Sequence, residues 1–174
     1  MTAAVFLLGM PGCGKSSVAR ELKQLLWARY PKANIGMLEM SSLVTKWLSM
    51  EQPVQPHDLL TTELGSSDLY NLLWYEISQL DIAVVSGVRE PHLLKAPASY
   101  GHRTLNVGLV CRDVTRKARY ESRGQNLLTF ADSNARAFSM HVPSLLDSLP
   151  YRIENDRGSA LQAARTILAL LHSQ

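Results

Sequence analysis

Gly9-Met10-Pro11-Gly12-Cys13-Gly14-Lys15-Ser16 follows directly on the apolar run Ala3–Leu8. Its spacing is G-x-x-x-x-G-K-S. Backbone without side chains brings N–H groups close enough to wrap a chain of phosphates. A helix opening near Gly14 turns its unpaired amides and the positive end of its dipole toward the same anion. Lys15 then reaches the β- and γ-phosphates and the Ser16 hydroxyl serves Mg2+. Gly9, Gly12, Cys13, Gly14 and Ser17 complete the expected cradle. The pattern predicts a nucleoside-triphosphate pocket.

A second cluster is cationic. Arg112, Arg116, Arg119 and Arg123 fall within CRDVTRKARYESRG. At roughly 100° per residue, all four occupy an arc of about 60° on one helix face. Solvated faces usually mix signs, because stacked like charges cost free energy unless an anion neutralises them. Arginine forks donate to two phosphate oxygens at once. Such a helix, followed by Gly124, reads as a lid over a transferring phosphoryl group. A nucleic-acid backbone would fit the same stripe.

The elements that must hold these groups are legible. Strands are predicted at Ala3–Leu8, Ile35–Met40, Ile82–Ser86, Leu105–Cys111 and Tyr151–Glu154. Helical periods lie between them. One carries Val18, Leu22, Leu25 and Leu26 and stops before Pro31. Another runs from Ser67, its expected N-cap, to Leu80. The last opens with the capping-box pattern Ser159-Ala160-Leu161-Gln162. Strands alternating with helices imply parallel pairing and a three-layer α/β fold. Ligands in such folds bind beyond the carboxyl ends of the strands, where Gly9, Ser86 and Cys111 emerge.

The totals exclude several classes. The chain of 174 residues suits one domain, 1–174, and its 19 % charged residues argue against disorder. No apolar stretch approaches the roughly 20 residues of a membrane span, so no membrane partner is expected. The apolar start has no basic leader and is too short for a signal peptide. Cys13 and Cys111 lack metal-type spacing and read as free thiols in a reducing compartment. A cytoplasmic protein, monomer or homodimer, is expected. The net charge of +3 allows an anionic partner without demanding one.

GMPGCGKSS, then VVSGVRE (Val84–Glu90), TRKARYESRG (Thr115–Gly124) and IEND (Ile153–Asp156) resemble, in that order, the nucleotide-kinase branch of P-loop proteins. That group includes phage deoxynucleoside monophosphate kinases, phage hydroxymethyluridine DNA kinases, phosphomevalonate kinases and dephospho-CoA-kinase-like ATPases. The resemblance implies a P-loop NTPase fold with a parallel five-stranded sheet in the order 2-3-1-4-5. It also implies ATP and Mg2+ as cofactors, and host cytoplasm as the location if the chain is of phage origin. By the same resemblance Arg89 holds the acceptor or a phosphate. Arg116, Arg119 and Arg123 are lid arginines within about 112–140, Asn155 and Asp156 lie near the adenine, and about 41–80 covers the acceptor. Relatives often end the third strand with an acid that helps hold Mg2+. Here Ser86 and Gly87 stand there, and Asp81 precedes the strand, too far off to substitute. The metal would rely on Ser16, water and another acid.

The expected reaction is transfer of the γ-phosphoryl of ATP to a nucleotide-type acceptor: a deoxynucleoside monophosphate, or a hydroxymethyl-pyrimidine in DNA. Mevalonate phosphate, coenzyme A precursors and an acceptor-free regulatory ATPase are the alternatives. An alcohol acceptor benefits from a carboxylate that takes its proton. Glu39, ending the second strand, is either that base or an N-terminal charge for the helix starting near Ser41. Glu90 either pairs with Arg89 or orients metal-bound water. His57 is read as a helix-cap or surface residue, with a catalytic role as the alternative. Trp47, Trp74 and Tyr75 are core residues or stacking partners for a base. Asp132 and Arg136 form either a surface i,i+4 pair or part of the active site.

Overall fold

The computed structural model describes residues 2–51, 63–97, 101–124, 128–156 and 158–173, with the backbone alone for 47–51 and 63–66. Strands β1 (Ala3–Leu8), β2 (Ile35–Glu39), β3 (Ile82–Ser86), β4 (Arg103–Val110) and β5 (Tyr151–Glu154) form one parallel sheet. Their order is β2-β3-β1-β4-β5, as the resemblance implied.

β1 is the middle strand, and all six of its residues are buried. Successive side chains of a strand point to opposite faces, so a strand covered on both sides must be apolar throughout. Ala3, Val5 and Leu7 pack with Val18, Leu22 and Leu26 of helix α1 (Lys15–Arg29). The same core takes Ala164, Ile167 and Leu171 of the last helix, α7 (Ala160–Ser173). Ala4, Phe6 and Leu8 pack on the other face against α2 (Met40–Glu51) and α3 (Glu63–Ser78). Helices α4 (Asp113–Glu121), α5 (Phe130–Ser139) and α6 (Val142–Asp147) lie between β4 and β5 in the chain. α6 adds Leu145 and Leu146 to this second core.

Trp74 fills the space between Phe6 and Tyr70, at centroid distances of 5.8 and 6.4 Å, so it is a core residue. Tyr75 faces outward, 57 % exposed. His57 and the Trp47 side chain lie outside the described residues. α3 begins at Glu63, one turn before the expected Ser67 cap. Glu63 and Leu64 are good helix formers, and Gly65 costs only about 1 kcal/mol, so the helix runs past Ser67. β4 starts at Arg103 rather than Leu105 because it pairs along β1 from Ala3. Ser159 does cap α7, its Oγ accepting from Gln162 N at 3.2 Å.

The parallel order brings Gly9, Ser86, Cys111 and Asn155 to one edge of the sheet. Asp81 sits at the opposite edge, where its carboxylate accepts from Asn34 N at 2.7 Å and its carbonyl from Ala3 N at 2.9 Å.

Candidate active site

Between β1 and α1 the chain makes a tight bowl. Gly12 (φ 79°) and Gly14 (φ 92°) adopt left-handed backbone that other residues avoid. A Cβ on Gly12 would also collide with the carbonyl of Arg116. Val18 N to Gly14 O, 3.0 Å, is the first helical bond, which leaves the amides of Lys15, Ser16 and Ser17 without a helical acceptor. No acidic residue occupies the first turn of α1. Lys15 Nζ arches back over the loop, donating to Gly9 O at 2.7 Å and Met10 O at 3.1 Å. One bend therefore combines a cation, free amides and a helix N-terminus.

The bowl opens into a cleft of about 460 Å3. Gly9, Gly12, Gly14, Lys15 and Ser16 form its floor, and Glu39, Arg89, Glu90, Arg123 and Arg136 its polar wall. Met40, Val44, Leu69, Val88 and Leu93 give it an apolar side. Arg89 Nη1 lies 3.4 Å from Met140 Sδ. Burial, and then the facing charge of Arg136, depress the Arg89 pKa. Two guanidinium groups thus share a partly desolvated wall. Glu90 Oε2 lies 3.3 Å from His92 Nδ1. Asp132 and Arg136 have separate roles. Thr129 Oγ1 accepts from Asp132 N at 3.1 Å and donates to its carboxylate at 2.6 Å, closing the start of α5, while Arg136 lines the cleft.

The arginine stripe resolves differently from the helical wheel. α4 ends at Glu121, so Arg123 lies beyond the helix, in a turn that reaches Gly124 (φ 68°). Arg112 precedes the helix and binds Asp156, Nε to Oδ2 at 2.9 Å. Arg116 is buried, donating to Pro11 O (3.1 Å), Asn134 Oδ1 (2.9 Å) and Asp113 Oδ1 (2.6 Å). Arg119 donates to Asn155 O at 2.7 Å and Asp156 O at 3.2 Å. The protein's own acceptors engage three members of the stripe, with carboxylates for Arg112 and Arg116 and main-chain carbonyls for Arg119. Of the four, Arg123 is the one that lines the phosphate-loop cleft.

Asn155 and Asp156 follow directly on β5, beside the loop. The buried Asn155 side chain donates to Cys13 O at 2.8 Å. Burial would raise the Asp156 pKa, but hydrogen bonds from Cys111, Arg112 and Thr115 outweigh it and hold the carboxyl at about 2. Burial and donation to Asp156 push the Cys111 thiol up to about 11. Both cysteines are free. A second cleft, about 510 Å3, runs alongside, lined by Arg112, Asn155, Gly158, Ser159 and Gln162. Asn155, which lines this second cleft, is the residue whose side chain reaches the loop at Cys13 O.

Among the described residues no three His, Cys, Asp or Glu side chains converge as a metal site. Ser16, Glu39 and Glu90 do line one cleft. That sparse oxygen set suits Mg2+, which keeps several waters and takes its remaining ligands from phosphates.

No protein-family model matches the chain, and no curated protein matches it in sequence. Solved structures do match its fold. A shikimate kinase from Acinetobacter baumannii, in complex with shikimate, is 19 % identical with a TM-score of 0.62, covering 99 % of this chain and 94 % of that one. The Deinococcus radiodurans tunicamycin resistance protein is 13 % identical with a TM-score of 0.67, covering 98 % and 96 %. The Mycobacterium tuberculosis APS kinase, in complex with AMPPNP and APS, is 14 % identical with a TM-score of 0.62, covering 98 % of each chain. The fold is that of the P-loop kinases.

The structure gathers Lys15, Ser16, Glu39, Arg89 and Arg123 on one cleft, and Asn155 beside it. Arg116 and Arg119 are turned to the loop and to β5 instead. Sequence reasoning passed over Tyr120, Ser133 and Met140 on the cleft wall, and Asn134, which binds Arg116. Tyr120, Ser133 and Asn134 are single residues on short helices and Met140 caps the end of one, with no spacing signal to mark them.

Proposed function

We propose that this chain is an ATP- and Mg2+-dependent phosphotransferase acting on a small, anionic acceptor. One observation carries the reading: the phosphate-loop bowl, Arg89, Arg123, Arg136 and Glu39 all line the same cleft. The loop amides cradle the β-phosphate, and Lys15 exchanges a carbonyl for a phosphate oxygen. Ser16, with water and phosphate oxygens, holds Mg2+, which screens the charge of the triphosphate. The nucleoside occupies the hollow beside Asn155 and Asp156.

Arg89 and Arg136 support an acceptor with a carboxylate or phosphate group, since two facing guanidiniums gain most from an anion between them. Met40, Val44 and Leu69 support an apolar or ring-shaped body. A nucleoside monophosphate meets both requirements, and so does a small acidic alcohol. In the transfer the acceptor oxygen bonds to the γ-phosphorus while the bond to the β-bridging oxygen breaks and ADP leaves. The proton of an alcohol acceptor passes to Glu39. Arg123 stabilises charge on the moving group, so catalysis is mainly positioning and electrostatics.

The test is transfer of label from γ-labelled ATP to nucleoside monophosphates, acidic alcohols and hydroxymethyl-bearing DNA. Label on a small anionic acceptor supports the reading. Label on DNA alone overturns the small-molecule acceptor, and release of free phosphate with every acceptor favours a regulatory ATPase.

A further inference from the structure

Arg116 meets the phosphate loop twice. Its guanidinium donates to Pro11 O at 3.1 Å, and its backbone carbonyl packs where a Cβ of Gly12 would stand. The side chain is 4 % accessible. The same Nη1 donates to Asn134 Oδ1 of α5 at 2.9 Å, and the ring of Phe130, also on α5, lies 5.4 Å from its Cζ. Its only carboxylate partner among the described residues, Asp113, is 80 % exposed, so that ion pair is screened by water and adds little. The neutral acceptors therefore fix where the buried cation sits. A planar fork that satisfies loop, α4 and α5 together sets their mutual orientation.

Those elements line the same cleft. The loop carries the phosphate bowl, and α5 carries Ser133, Arg136 and Ala137 of the wall. We propose that Arg116 is a positioning residue that couples the two: seating of a triphosphate on the loop is transmitted through Pro11, Arg116 and Asn134 to α5, and so to Arg136. This rests on the reading of the loop as a triphosphate site. It removes Arg116 from the groups that touch phosphate and gives it a role in bringing the acceptor wall into register with the donor.

The coupling is testable without knowing the acceptor. Amide hydrogen exchange is followed in the full chain with and without magnesium and AMPPNP. In the native protein the nucleotide slows exchange in the loop and in α5 together. Arg116→Met, which leaves Pro11 O without its donor, weakens nucleotide binding at least tenfold and abolishes the α5 response. Asn134→Ala removes the hydrogen bond that the proposed route uses and leaves the Phe130 contact: affinity stays within about threefold, the loop response persists and the α5 response is lost. Asn134→Asp, which restores an acceptor, restores it. Asn134→Ala keeps the test decisive should Arg116→Met fail to fold. A folded Asn134→Ala variant whose α5 slows as in the native protein overturns the coupling. A native chain that binds no AMPPNP overturns instead the reading of the loop.

Discussion

The side-chain amide of Asn155 donates to the main-chain carbonyl of Cys13 at 2.8 Å, joining the end of β5 to the middle of the phosphate loop. A trans peptide unit is planar, with its C=O and N–H opposed. Holding Cys13 O toward Asn155 therefore turns the Gly14 amide the other way. Asn155 thus helps aim a loop amide although it lies 142 residues away in the chain.

Asn155→Ala leaves that carbonyl without its partner, a loss of about 1–3 kcal/mol for a buried group. The expected result is roughly tenfold or greater weakening of magnesium-AMPPNP binding by calorimetry, in a protein that still folds. Unchanged affinity would remove Asn155 from the loop's support.

Gly12→Ala combines two penalties. A left-handed φ costs about 1–2 kcal/mol with a Cβ, and here the Cβ also meets the backbone of Arg116, which has no flexible end to move. The melting temperature should fall by several degrees and nucleotide binding should be lost. Gly124→Ala carries the φ penalty (φ 68°) with nothing within 4 Å of the added Cβ, so it should melt slightly lower and still bind. Equal behaviour of the two variants would show that contact with α4 is irrelevant.

The pair Cys111 and Asp156 makes a pH prediction. Asp156 is held at about 2, below the roughly 3.9 of an unfolded aspartate. A depressed folded pKa adds stability above the unfolded value, and that contribution disappears as pH falls through the folded value. Denaturant midpoints should drop between about pH 5 and pH 2, and Asp156→Asn should flatten that slope. Cys111, raised to about 11, should alkylate slowly at pH 8 and faster in Asp156→Asn. Identical slopes and rates in the two proteins would refute the assigned contacts.

Lys15→Met removes the cation that crosses the bowl. Phosphoryl transfer should slow by about 10²–10³, the scale of losing one preorganised electrostatic contact. Glu39→Gln should cost about 10²–10⁴ with an alcohol acceptor, the range for a lost general base. It should change little with a phosphate acceptor, whose oxygen is already ionised. Turnover of one alcohol at full rate by Glu39→Gln would exclude the carboxylate as base.

Much of this was legible in the residues. The five predicted strands fall within about two residues of the observed ones. Ala3–Leu8 and Ile82–Val85 read as continuous apolar runs because a strand buried on both faces tolerates little else, whereas β5 (Tyr151–Glu154) is only half-buried. The loop stood out because its G-x-x-x-x-G-K-S spacing is restrictive, and the left-handed backbone at Gly12 and Gly14 accounts for two of its glycines. The strand order came from likeness to kinases, since pairing partners leave no mark in the runs themselves. The start of α3 was misplaced because a capping residue marks a preferred boundary, and favourable neighbours outweighed it.

Composition, periodicity and the spacing of the glycines marked the layers and the loop after β1, and put Arg116 and Arg119 on one helix. They could not determine what those cations meet. Arg116 and Arg119 are bound chiefly by main-chain carbonyls and by Asn134, and every residue in a chain owns a carbonyl. Which carbonyl faces which guanidinium depends on how distant segments pack, and only the tertiary structure decided it.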